Sequence, residues 1–156
     1  MREIESVLRA MRNEAAVWLD AVNMQEERVV NTSGMDRRMI DARQFVLVLR
    51  LFYRACREVG KLANSPKAVV GISRFDSAVP AAVHIRDVTE HFEDYIRGIG
   101  RLGKGIRMPC HSYTSGTSTH ILLVPEFSEG ILVKTYTLDV AVAARAAREL
   151  ALVIIE

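Results

Sequence analysis

Two cysteines, four prolines and a single tryptophan are all that this 156-residue chain holds of the residues that most often staple, break or anchor a small fold. Cys56 and Cys110 are too few for a disulfide framework. Cys56 also falls in an apolar helical pattern, which predicts a reduced thiol in a cytoplasmic protein. No apolar run approaches the roughly 20 residues of a membrane-spanning helix. Met1-Arg2-Glu3-Ile4-Glu5 lacks the apolar core of a signal peptide, so no membrane role is expected. A net charge of +2 does not by itself argue for nucleic acid. There is no internal repeat, no low-complexity tract and no glycine-rich phosphate loop. Gly98, Gly100, Gly103 and Gly105 follow a helical stretch rather than open one, which suits a helix end. No cofactor is expected.

What is present suits one folded domain over residues 1–156. A chain of this length buries roughly two thirds of its unfolded surface. From Glu3 to about Arg28, apolar residues fall at Ile4, Val7, Leu8, Met11, Ala15, Trp18, Leu19 and Val22, the spacing of an amphipathic helix. Asn31-Thr32-Ser33-Gly34 breaks it. A second helix is expected from near Asp36 to Leu62 or Ala63. Its middle, Phe45 to Tyr53, is apolar almost all round, as in the most buried helix of a bundle. Asn64-Ser65-Pro66 supplies a stop and a new start for a short helix to about Ser77. Pro80 pushes Val79 toward extended geometry and opens a third long helix ending between Gly98 and Gly103.

Residues 104–119, rich in Gly, Ser and Thr, read as a loop. Ile121-Leu122-Leu123-Val124 and Ile131 to Tyr136, separated by Pro125 to Gly130, read as a β-hairpin. Thr137 or Asp139 can cap a last helix, Val140 to Ile155, with Leu150 and Ile154 on one face. The expected fold is mainly α. It is a four-helix up-and-down bundle with a short extra helix and a β-hairpin, at about residues 119–137, inserted before the last helix.

The third long helix carries Arg86-Asp87-Val88-Thr89-Glu90-His91. Histidine moves protons near neutrality, and arginine is a permanent cation that forks onto phosphate. Together they supply general acid–base chemistry and stabilise a phosphoryl transition state. On a helix, positions five apart point about 140° away from each other. His91 shares its stripe with His84, Asp87, Val88 and Tyr95, and Asp87, four residues earlier, can orient the imidazole. Arg86 must reach around the helix, or a second subunit must complete the site.

Arginine, a polar residue, and histidine five positions after the arginine, in a helix of a four-helix bundle, resemble the motif of the HEPN superfamily. Many of its members resemble metal-independent ribonucleases, including toxins of toxin–antitoxin and phage-defence systems. The resemblance implies a homodimer with two motifs facing across a cleft, RNA as substrate and an antitoxin or other protein as partner. It places His91 as general base or acid at the RNA 2′-hydroxyl or leaving 5′-oxygen, and Arg86 on the phosphorane charge. Asp87 stands where family toxins often have Asn. Glu93 stands where they often have Tyr, the nearest tyrosine being Tyr95.

Other readings of the same residues stay open. Arg86–Glu90 and Glu93–Arg97 match ordinary i,i+4 helix pairs, which would leave His91 as a border histidine satisfied by Asp87. The rival to an enzyme is then a non-catalytic helical module that binds a protein or nucleic acid. Arg43, Arg50, Arg54 and Arg57 recur on one face of the second helix and can track a phosphate backbone, or form a solvated face paired with neighbouring glutamates. His84, Asp87 and His91 lie at i, i+3 and i+7, but bundle metal sites draw ligands from several helices, so no metal site is expected. Cys110, His111 and His120 match no zinc spacing and read as loop residues.

Overall fold

The computed structural model describes residues 2–82, 111–123 and 136–155. These are mainly helical, with a small three-stranded antiparallel sheet before the last helix. Helix α1 spans Arg2–Asn31 and α2 spans Met35–Ala63. They pack along their length, with Ala15, Val22 and Val29 buried at seven-residue intervals and Leu8, Met11 and Trp18 half-buried on the same face. This stripe matches the seam of an antiparallel helix pair. The Thr32-Ser33-Gly34 corner between them is held by Asp41, 5% exposed. Its Oδ2 accepts from the Thr32 hydroxyl at 2.5 Å, and Arg28 lies 3.5 Å from its Oδ1.

Helix α2 is less enclosed than its apolar middle predicts. Phe45, Leu49, Phe52 and Cys56 are fully or almost fully buried, while Leu47 is 44% exposed on the wet side. Its end is local chemistry. Asn64 adopts the left-handed conformation (φ 46°, ψ 42°) with its N–H on the Lys61 carbonyl. The Ser65 side chain then accepts from the Ala68 N–H, with Pro66 in the first turn of α3, Pro66–Ala78. Helix α3 lies close to its neighbours. A Cβ on Gly60 of α2 would stand 3.3 Å from Ala68 and Ile72, and one on Gly71 of α3 only 3.1 Å from Leu150.

The strands correct the sequence expectation. Strand β1 is His111–Ser115, β2 is Ser118–Leu123 and β3 is Tyr136–Asp139, in the order β1-β2-β3. A hairpin that the sequence reading lacks lies before the expected one: β1 and β2 pair across Gly116-Thr117, inside the stretch that reads as a loop. Gly116, at φ 61°, leads the two-residue turn, where a positive φ favours glycine. The expected strand at 121–124 is β2. The other, at 131–136, falls largely outside the described residues, and the partner seen is β3, whose Leu138 pairs with Ile121 on the buried face.

Asp139 then caps the last helix, α4 (Val140–Ile154), its Oδ1 accepting from the Val142 N–H at 2.9 Å. Small buried residues, Ala143, Ala144, Ala146, Ala147 and Ala151, let α4 approach the other helices, and Arg148 reaches Asn23 (3.0 Å) and Glu26 (2.7 Å) on α1. No described helix is long and apolar enough to cross a membrane.

Candidate nucleic-acid interface

Because α2 runs unbroken from Met35 to Ala63, Arg43, Arg50, Arg54 and Arg57 fall within about 60° of arc. They lie roughly 140° round the helix from Phe45, Leu49, Phe52 and Cys56, which face the core. Core packing thus orients the arginine face. Arg54 and Arg57 are exposed; Arg43 and Arg50 are half-buried. The face is not purely cationic. Glu58 sits beside it, its carboxyl held below its ordinary value first by a hydrogen bond from Lys61 (2.7 Å) and further by the charges of Lys61, Arg54 and Arg57.

Next to this face, Val46, Leu49, Arg50 and Tyr53 of α2 meet Phe75 and Asp76 of α3, with Val79, Ala82 and Leu138 of β3. They line a shallow cleft of about 410 Å³, counting its open mouth. The lining is mostly apolar, and its polar groups are ordered. Tyr53 Oη donates to Asp76 Oδ1 at 2.6 Å. The Tyr53 ring stacks on Phe75, with centroids 5.0 Å apart and planes at 24°. The Arg57 guanidinium lies 5.9 Å from the Tyr53 ring centroid, within cation–π range. One tyrosine thus links the arginine face to an exposed carboxylate at the cleft.

Arg86, Asp87, His91 and Tyr95, the residues expected to carry chemistry, lie outside the described residues, as do His84 and Cys110. The chain leads toward them from the cleft: Ala82 lines it, and Arg86 follows four residues later in sequence. Residues 81–82 are helical after Pro80, and the rest of the expected third long helix lies outside the described residues. His111 and His120, expected in a loop, stand in β1 and β2. His120 packs its ring against Tyr113 (5.3 Å, 26°), and its Nδ1 is buried with no hydrogen-bond partner among the described residues. Asp139 is its register partner on β3. No group of three His, Cys, Asp or Glu among the described residues is arranged to hold a metal. Cys56 is buried, and desolvation pushes its thiol up to about 12 despite a backbone hydrogen bond that lowers it. That makes it a core residue rather than a nucleophile.

Sequence reasoning missed Tyr53 and Asp76. Tyr53 precedes Arg57 by four positions, a spacing that can bring a ring and a cation together on one helix. Its bond to Asp76, 23 residues away, is tertiary and leaves no local signal. No protein-family model, curated protein or solved structure matches the chain.

Proposed function

We propose that this chain is a HEPN-like, metal-independent endoribonuclease that works as a cytoplasmic homodimer, its helices completing a four-helix up-and-down bundle. The observation that carries the proposal is the Arg86–His91 spacing in a mainly helical chain. The arginine face of α2 supports it, because a strand of RNA needs cations along its path. The cleft at Ala82 supports it too, because it lies where the chain enters the motif.

In the proposed reaction His91 takes the proton of the RNA 2′-hydroxyl, and the 2′-oxygen attacks phosphorus. The bond from phosphorus to the 5′-oxygen breaks, and His91 of the partner subunit protonates that leaving oxygen. The products are a 2′,3′-cyclic phosphate and a 5′-hydroxyl. Arg86 holds the charge of the phosphorane, where a fixed cation is worth more than at the ground-state phosphate. Tyr95 joins the site as the nearest tyrosine. Asp87 orients His91 and favours its protonated form.

The test is incubation of purified protein with RNA, with and without EDTA, beside Arg86→Ala and His91→Ala. Cleavage that survives chelation and is lost in both variants, leaving cyclic-phosphate ends, is the expected result. Cleavage unchanged by the substitutions, or none under any condition, refutes the enzyme. RNA binding without cleavage would identify a non-catalytic binding module instead.

A further inference from the structure

We propose that the mouth of the α2–α3 cleft is a nucleobase subsite. Asp76 there accepts hydrogen bonds from the Watson–Crick edge of an unpaired guanine, beside arginines that hold the nucleotide's phosphate. The proposal rests on the RNA reading above and names the feature of RNA that is recognised.

The argument starts from the carboxylate. An ionised carboxylate only accepts hydrogen bonds, and its two oxygens together offer about four lone-pair sites. Tyr53 occupies one site on Oδ1, at 2.6 Å. That bond anchors one oxygen of Asp76, which is exposed, and leaves both oxygens able to accept again. Tyr53 is itself held, by Phe75 stacked on its ring and by Arg57 over it. With those neighbours the ring serves to hold the acid rather than as a platform for a base.

A carboxylate with both oxygens free to accept favours a ligand with two adjacent donors. Among the bases of RNA, only guanine presents an N–H and an amino group side by side. Adenine and cytosine place an acceptor beside their amino group, and uracil flanks its single N–H with two carbonyls. Each of these sets a lone pair against the carboxylate. The apolar lining from Val79, Ala82 and Leu138 suits the flat face of a base.

Charge decides between a nucleotide and a peptide. An arginine-bearing peptide would satisfy Asp76, but the exposed Arg57 over Tyr53 would repel it. A nucleotide brings donors for the acid and an anion for the arginines.

The probes are fluorescein-labelled oligouridylates carrying one guanosine, one inosine or one adenosine, titrated with the full chain at fixed salt and read by anisotropy. Guanosine should bind about tenfold tighter than inosine, which lacks the 2-amino donor, and tighter still than adenosine. Asp76→Asn should abolish the preference while keeping general affinity. Tyr53→Phe, which keeps the ring and removes the donor that holds Asp76, should weaken it less. Equal affinity of the wild-type chain for all three oligomers refutes the subsite, as does a preference that survives in Asp76→Asn. The wild-type comparison stands even where a variant fails to fold. Binding of a labelled triarginine peptide that depends on Asp76, without guanine preference, would assign the cleft to a protein ligand and overturn the proposal. Failure to bind any of the three RNAs overturns the RNA reading beneath it, whereas binding without preference overturns the subsite alone.

Discussion

The arginine face of α2 makes a quantitative prediction about salt. Of its four arginines, Arg54 and Arg57 are exposed, so they are the two placed to neutralise phosphates without first leaving a half-buried position. For a single strand, each neutralised phosphate adds about 0.7 to the slope of log affinity against log salt. The double variant Arg54→Ala/Arg57→Ala should therefore flatten the slope by about 1.4. Between about 50 and 200 mM salt, the wild-type chain then loses about sevenfold more affinity than the variant. The perturbation is mild for folding. Arg54 is a surface side chain, and Arg57 contributes about 0.5–1 kcal/mol through its position over Tyr53, so the variant stays folded by circular dichroism. The assay is anisotropy of labelled oligouridylate across a potassium chloride series. Parallel salt lines for the two proteins would show that phosphates do not run along this face. The nucleic-acid role of α2 would then be refuted, whatever the absolute affinities.

Three further predictions concern groups that the fold has placed. Asp41→Ala removes the acceptor of the Thr32 hydroxyl and the partner of Arg28 from a buried corner. It should cost about 3 kcal/mol, or roughly 6–12 °C in Tm, while Arg28→Ala, at the exposed end, costs under about 1 kcal/mol; urea melts in which Asp41→Ala also loses less than 1 kcal/mol would contradict this account. Cys56 keeps its proton in the folded state up to about 12, from an ordinary value of 9.0. Above pH 9 the unfolded chain binds fewer protons than the folded one, so stability present below that pH falls as pH rises. Cys56→Ala should remove part of the decline between pH 9 and 12, and identical slopes for the two proteins would argue against it. The Glu58 carboxyl titrates below 4.5, chiefly through the Lys61 hydrogen bond. Its stabilisation is present above the unfolded carboxyl value and lost as pH falls through the folded one. Lys61→Met should move the Glu58 midpoint upward in a carboxyl NMR titration; an unmoved midpoint sinks the assignment.

The features that were legible in the sequence are those whose causes are local. Asn64-Ser65-Pro66 ends one helix and starts the next because a left-handed residue, a side-chain cap and a fixed φ act within three positions. Asp139 caps α4 for the same reason. The β1–β2 hairpin is not legible, because the buried positions of its strands include Ser112 and Thr119, 3% and 7% exposed, which give no apolar period to read. Helix α2 looked apolar all round, yet three-dimensional packing covers only part of its circumference and leaves Leu47 and the arginines outside. The arginine face itself was legible, since one unbroken helix sets its geometry. The Tyr53–Asp76 pair was not, because nothing along the chain announces which turn of α3 will lie against α2. Arg86, Asp87, His91 and Tyr95 lie outside the described residues.

Recognition and chemistry make different demands on this chain. The arginine face, Tyr53 and Asp76 all belong to α2 and α3 of one subunit, so the proposed RNA contacts need no second copy. The proposed chemistry does. Five residues apart on the expected helix, Arg86 and His91 diverge by about 140°, and a single subunit would have to bring both onto one phosphate by the reach of one side chain. A two-fold axis removes that demand, because each subunit can then offer a different member of the pair to the same phosphate. Binding and cleavage should therefore part company on dilution. Affinity per chain stays constant as dimers dissociate, while the cleavage rate per chain falls in proportion to the remaining dimer. A cleavage rate per chain that holds steady below the dissociation concentration would place the whole reaction within one subunit. Asp87 would then be the residue to re-examine, since its carboxylate would sit on the same helix as the phosphate site with no second arginine to offset it.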